Sequence, residues 1–293
     1  MTTSADAASG KGATDENFPV ASHLIAARHR PAVMAFYDFV RAADDVADHA
    51  TLSSDEKLAV LDRMEACLLG RADTEPVARP LRAVLAERRL SPRHALDLLA
   101  AFKLDCTKPR TADWADLIHY CSLSAMPVGR YVLDLHGESE ATWPASDAVC
   151  AALQVINHIQ DCGKDYRDLD RVYIPDDMLA NAGVSHAALA EPKASPALRG
   201  VLSDLATRTL VLLDEGAPLP RQVRDFRLSL ETGVIITLAR HLTRTLQTHD
   251  PLSQTVHHNK AAFAGIALMG ALRAAAGRLT HPGARLATAA RPS

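Results

Sequence analysis

The sequence predicts an all-α fold, and three observations carry that expectation. Alanine occurs 52 times in the 293 residues, whereas Phe, Tyr and Trp together occur 13 times. Ala has the highest helix propensity and aromatic residues favour strands, so this balance leans toward helix. Apolar residues recur at steps of three and four, no segment keeps a period of two long enough for a sheet, and no repeat of about 20 to 50 residues is visible. The prediction is a single-domain helical bundle.

The elements follow in order. Residues 1–15 are small and polar, with Gly10 and Gly12 and no apolar periodicity, which predicts a disordered leader. The domain is expected over 16–279 and a loose tail over 280–293. From Pro31, Val33, Phe36, Tyr37 and Val40 mark a first helical face; Leu58, Leu61, Met64 and Leu68 mark a second, with Ser53 and Ser54 before Glu56 as its cap. Ser91 and Pro92 open a helix carrying Leu96, Leu99 and Phe102 on one face. Thr111 to Asp113 opens the next, running through Leu117 and Tyr120 toward Gly137. Pro127 lies within it, which predicts a kink over Ala125 to Gly129, because proline lacks the backbone donor and clashes with the preceding turn. A bent helix can widen an internal cavity. Asp147 to Asp165 reads as a helix ending in the polar run Asp168-Leu169-Asp170-Arg171, and 181–195 reads as irregular. Helices resume over Pro196 to Glu215, Gln222 to Gln247 and Ala261 to Leu279.

Composition excludes several function classes. Lys and Arg number 32 against 35 Asp and Glu, a net charge of -3, which argues against nucleic-acid binding through bulk charge. The 48% apolar and 23% charged content is ordinary for a globular protein,. Cys67, Cys106, Cys121, Cys150 and Cys162 contain no CxxC pair, which disfavours a disulfide framework or thiolate zinc site. The longest uncharged apolar stretch, Ala261 to Leu272, falls short of the roughly 20 residues a spanning helix needs. With no apolar secretory segment at the N-terminus, a cytoplasmic location is the expectation.

Two strings carry chemistry. In Tyr37-Asp-Phe-Val-Arg41-Ala-Ala-Asp44-Asp45-Val-Ala-Asp48, the tyrosine, arginine and carboxylates recur at helical steps and share one face. Like charges at that spacing repel unless a cation bridges them. Hard divalent ions take oxygen ligands, and magnesium commonly uses one or two protein carboxylates with water and phosphate completing its shell. Alone, the string reads equally well as a solvated acidic face. The second string, Asn157 to Pro175, repeats the pattern: Asn157, Asp161 and Asp165 stand at i, i+4 and i+8. Two such stripes on separate helices could face each other across a cavity and hold magnesium on a diphosphate, with Arg41 and Arg171 as charged donors to its oxygens.

At these residues the chain resembles the squalene/phytoene synthase family of head-to-head isoprenoid synthases, from about Asn17 to Leu272. YxxxRxxDDxxD matches at Tyr37 to Asp48, and NxxxDxxxD followed by RxYxP matches at Asn157 to Pro175. The resemblance implies an all-α isoprenoid synthase fold around a greasy central cavity, magnesium dependence with Asp44, Asp45, Asp48, Asn157, Asp161 and Asp165 as ligands, and ionisation of a prenyl-type diphosphate. Three local strings, Glu16 to Ser22, Tyr120 to Arg130 and Gln160-Asp161-Cys162, resemble members that convert presqualene diphosphate and water to hydroxysqualene. Condensing relatives usually carry Arg where Gln160 stands, so one counter-charge for phosphate is missing.

The implied catalytic residues are Tyr37, Arg41, Tyr120 and Arg171; the implied substrate contacts are Ser22, Phe36, Arg41, Gln160, Arg171 and Tyr173. Phe36 and Tyr120 could stabilise a carbocation by cation–π attraction. A serine in Ser22's position is more often a helix cap, and Tyr120 is equally a core residue. His158 is expected to point away from the acidic stripe, and His257 and His258 to lie on the surface. The expected partner is a small isoprenoid diphosphate, with peripheral membrane contact and operon-encoded pathway enzymes as further associations. The alternatives are condensation of two farnesyl or geranylgeranyl diphosphates, and a non-catalytic assembly factor that keeps the fold.

Overall fold

A computed structural model describes residues 3–7, 25–256 and 260–280. Among the described residues, twelve α-helices follow one another: α1 (Arg30–Ala47), α2 (Ser54–Leu68), α3 (Ala78–Arg88), α4 (Arg93–Thr107), α5 (Trp114–Ser124), α6 (Met126–Leu135), α7 (Trp143–Leu169), α8 (Asp176–Asn181), α9 (Pro196–Gly216), α10 (Leu219–Gln222), α11 (Phe226–Leu246) and α12 (Lys260–Thr280). Among the described residues there is no strand; the single β-type contact is an isolated bridge between Arg110 and Val172. None of these helices is long and apolar enough to cross a membrane. All five cysteines are free thiols.

Local chemistry sets the helix ends. Ser53 and Glu56 form a reciprocal capping box at α2, the Ser53 amide donating to Glu56 Oε2 at 2.9 Å, which satisfies two otherwise orphaned donors. Ser91 Oγ accepts from the Arg93 amide at the start of α4. Pro127 ends one helix and starts another instead of kinking a continuous one. α5 closes at Ser124, Ala125 leaves the regular helical path, and Pro127 occupies the first turn of α6, where its missing N–H costs nothing. α7 is longer than the apolar pattern predicts: Pro144 serves its first turn, and the helix runs on to Leu169, where Asp170 takes a left-handed conformation (φ 50°) and bonds Arg110. Within 181–195, a short 3-10 turn spans His186–Ala190.

α3 is not anticipated by the pattern, because it buries only Ala78, Leu81 and Leu85 and carries Pro80 in its first turn, where a proline is tolerated. Residues 3–7, inside the stretch expected to be a loose leader, form a turn in which the Ser4 amide and hydroxyl both donate to the buried carboxylate of Glu75. The remainder of the expected leader, and 281–293 of the expected tail, lie outside the described residues.

Two apolar clusters organise the bundle. One joins α1 to α4 through residues such as Phe39, Leu61, Met64, Leu81 and Leu98. The other gathers α5, α7, α9 and α11 around Leu117, Ile156, Ile159, Leu205 and Leu242. α7, roughly 40 Å long at 1.5 Å per residue, packs against α6 on one side and against α9 and α11 on the other. The space left between α1 and α7 is where the site forms.

Candidate active site

An apolar cavity of about 300 Å³ lies between α1, α6, α7 and α11. α1 gives it Val33, Phe36, Tyr37 and Val40, and α7 gives it Ser146, Val149, Cys150 and Leu153. At steps of three and four, the first series continues along α1 into Asp44 and Asp48, and the second along α7 into Asn157, Asp161 and Asp165. Both helices therefore present a greasy face that turns acidic toward its C-terminal end. Carboxylates there meet the negative end of the helix dipole as well as each other, so the arrangement opposes stability unless cations offset it.

Part of that offset is built in. Arg41 bonds Asp44 at 2.8 Å and Asp45 at 2.6 Å, one turn further along α1. Asp45 is buried and turned inward, whereas Asp44 and Asp48 are each about one-third exposed. Burial pushes the Asp44 carboxyl up to about 7; Asp48 adds to the rise and Arg41 opposes it. On the other ridge, burial and then Asp161 push Asp165 up to about 7, with Lys164 opposing and Asp48 adding from α1.

Arg171 ties the two ridges together. Just beyond α7, its Nη1 lies 2.5 Å from Asp48 Oδ1 and its Nη2 donates to the Ala47 carbonyl at 2.8 Å. Burial would lower the pKa of this guanidinium, but Asp105, Tyr173 and Asp48 outweigh it and push the pKa up, so the charge is locked in place. Asp48 thus stands beside Arg171 and within electrostatic reach of both Asp44 and Asp165. Among the described residues, no three His, Cys, Asp or Glu side chains converge closely enough to hold a metal ion by themselves. The donor set is hard oxygen throughout, which suits magnesium completed by water and phosphate rather than a closed protein cage.

Asp105, at the end of α4, is the functional candidate that the sequence reading missed. Tyr120 donates its hydroxyl to Asp105 Oδ2 and Tyr173 donates to Oδ1, each at 2.7 Å. Burial pushes Asp105 up to about 6, while Arg171 and the two tyrosines oppose the rise. Tyr173 stacks on His158 with ring centroids 3.8 Å apart. His158 is buried, held neutral with its pKa down at about 3 by desolvation, and its Nε2 lacks a hydrogen-bond partner among the described residues. A signal for Asp105 was present: it prolongs the buried stripe of Leu98, Ala101 and Phe102, and a carboxylate on an apolar face needs a partner. A second, polar cavity of about 420 Å³ is walled by Asp48, Lys57, Asp105, Asp168 and Arg171.

The other predicted residues separate by location. Phe36 lines the apolar cavity and stacks on Tyr131 at 4.0 Å. Tyr37 lines the same apolar cavity, whereas Tyr120 and Tyr173 face Asp105. Gln160 donates its side-chain amide to the Val256 carbonyl at 2.5 Å. Ser22 and the string around it lie outside the described residues, as do His257 and His258.

Comparison with known proteins gives consistent matches. The squalene/phytoene synthase family profile matches residues 12–262. A hydroxysqualene synthase of Rhodopseudomonas palustris is 53% identical over 97% of this chain and 100% of that protein. A hydroxysqualene synthase of Zymomonas mobilis is 48% identical over 92% of this chain and 91% of its own; from the same organism, a presqualene diphosphate synthase is 29% identical over 68% and 69%. The crystal structure of squalene synthase HpnC from Alicyclobacillus acidocaldarius superimposes with a TM-score of 0.69 at 30% identity, covering 78% of this chain and 86% of that one. The paired acidic ridges at the mouth of an apolar cavity, the all-α fold and these matches agree: the chain belongs to the squalene/phytoene synthase family.

Proposed function

We propose that this family member is a magnesium-dependent hydroxysqualene synthase, converting presqualene diphosphate and water to hydroxysqualene and diphosphate. The observation that carries the reading is the continuity on α1 and α7, where one helical face runs from the wall of an apolar cavity into carboxylates. That layout matches a substrate with a long hydrocarbon body and an anionic head. The similarity to two hydroxysqualene synthases at about half identity over nearly the whole chain supports the specific reaction.

The chain's own residues have distinct tasks in this reading. Asp44, Asp48, Asn157, Asp161 and Asp165 would hold magnesium, which when bound supplies positive charge to the departing diphosphate oxygens. Asp45 stays with Arg41 and fixes the orientation of that guanidinium. Arg41 and Arg171 keep donors in excess of those used by their carboxylate partners, because a guanidinium carries five N–H groups. They stabilise the charge that develops on the leaving group. Phe36 and Tyr37 border the cation left behind, and the apolar wall excludes bulk water. Gln160 is neutral and engaged with Val256, which leaves less positive charge than a second diphosphate would require.

The presence of both synthases in Zymomonas mobilis fits a division of labour in which a separate condensing enzyme makes presqualene diphosphate. Purified protein with magnesium, and without NADPH, is to be given presqualene diphosphate or farnesyl diphosphate. Hydroxysqualene from the first and no turnover of the second is the expected result. Consumption of farnesyl diphosphate alone, with presqualene diphosphate accumulating, would mean a condensing enzyme instead.

Peripheral contact with an anionic lipid bilayer belongs to the same reading, since the product is a C30 alcohol. α12 leaves Leu268, Met269 and Leu272 exposed on one face, and Arg221, Arg240 and Arg273 line a groove beside it, a combination that suits an anionic surface. Co-sedimentation with phosphatidylglycerol vesicles but not with phosphatidylcholine vesicles is expected, and equal recovery with both would contradict it.

A further inference from the structure

Among the described residues that line the apolar cavity, one carries a carboxylate: Glu231, on α11, which is 5% exposed. The same wall includes Leu153, Leu228 and Ile235 and is largely apolar. Keeping a carboxylate out of water costs free energy even when it is partnered, and one in the wall of a cavity is placed to act on what enters it. Several other polar groups in the wall are engaged with protein atoms. Thr232 donates its hydroxyl to the Ser229 carbonyl and Tyr131 donates to the Ala32 carbonyl, while Ser146 interacts with Cys150. A carboxylate offers about four acceptor positions, so Glu231 retains acceptor capacity even when one position is used by the protein.

We propose that Glu231 is the catalytic residue that holds and deprotonates the water consumed in the reaction, an inference that rests on the hydroxysqualene synthase reading and deepens it. The step is redox-neutral. The carbon–oxygen bond to diphosphate breaks with its electron pair leaving on diphosphate, and the cyclopropylcarbinyl cation rearranges and opens. The water oxygen then bonds to the cationic carbon while one of its protons passes to Glu231, which afterwards releases it to solvent. Before capture, the same negative charge stabilises the cation in a medium of low dielectric. A cavity without such an acceptor would end the reaction by loss of a proton from carbon, giving a hydrocarbon instead of an alcohol.

The experiment measures the ratio of hydroxysqualene to hydrocarbon formed from presqualene diphosphate by the full chain with magnesium, in ¹⁸O-labelled water, alongside diphosphate release. In Glu231→Gln the ratio is expected to fall at least tenfold, with alcohol formation reduced more than diphosphate release. In Glu231→Asp it should return to within about threefold of wild type. A Glu231→Gln variant with the wild-type ratio, or Gln and Asp variants that shift it equally, would overturn the proposal. Glu231→Ala with added formate is the independent arm: recovery of alcohol supports the role, and no recovery counts against it. The wild-type reaction separates the two claims, because a wild type that makes no labelled alcohol contradicts the reading of the function, whereas an alcohol-forming wild type matched by Glu231→Gln contradicts only the role of Glu231.

Discussion

Arg171 reaches from just past the end of α7 to the last turn of α1, where it bonds Asp48 at 2.5 Å and the Ala47 carbonyl at 2.8 Å. Through this one side chain, the C-terminal ends of the two acid-bearing helices are held together. The contact spans more than a hundred residues in sequence, and both partners wall the polar cavity.

Arg171→Ala leaves Asp48 and the Ala47 carbonyl without this donor. Hydrogen bonds to charged groups are worth roughly 1.5–3 kcal/mol, so a loss of about 2 kcal/mol in unfolding free energy is expected in chemical denaturation. Turnover should fall at least a hundredfold. Arg171→Lys keeps the charge but lacks the planar fork that holds both acceptors in fixed geometry, and should recover part of the stability but little of the rate.

Metal-free protein should lose stability as pH rises from about 6.5 to 8. Asp44 and Asp165 sit at about 7 and Asp105 at about 6, all above the ordinary 3.8. In that range the folded chain holds protons that the unfolded chain has already lost, so unfolding is favoured by raising the pH. His29 and His158, pushed down to about 4 and 3 by burial, act with the opposite sign, but only below 6.5. Magnesium should therefore raise the melting temperature more at pH 8 than at pH 6. An equal rise at both would contradict this assignment.

Gly129 on α6 sits where a Cβ would lie 2.5 Å from Ser146 Oγ and 2.6 Å from Cys150 Sγ. Gly129→Ala must push α6 away from α7 or displace both side chains. The expected cost is about 1–3 kcal/mol, together with altered alcohol yield, because both helices wall the cavity. Thermal melting of the variant, with product analysis, checks both consequences.

Asp105→Asn keeps the shape but removes the charge to which Tyr120 and Tyr173 both donate. One of those hydroxyls must then find another acceptor. A drop in kcat/KM of at least tenfold with helical circular dichroism retained is expected, and unchanged kinetics would remove Asp105 from the site.

Much of this arrangement was legible in the sequence, because helical periodicity and charge spacing are local. The faces of α1 and α7 could be read from steps of three and four, and so could the acidic ridges they carry. Asp105 could not be recognised in the same way: it is a single carboxylate with no repeating neighbour, and its meaning depends on two tyrosines 15 and 68 residues away. Glu231 was hidden for the same reason. α3 escaped because its short buried stripe is interrupted by a proline that only the helix start makes acceptable. For Pro127, a pattern alone does not distinguish a bent helix from two helices joined at a first-turn proline.

The central claim is that the two ridges hold diphosphate through magnesium, and binding of inorganic diphosphate followed by calorimetry tests it most directly. Diphosphate should bind wild-type protein only with magnesium present, and Asp44→Asn and Asp161→Asn should each abolish that binding while the protein stays folded. Equally tight binding without magnesium, or binding that survives in both variants, would contradict the account.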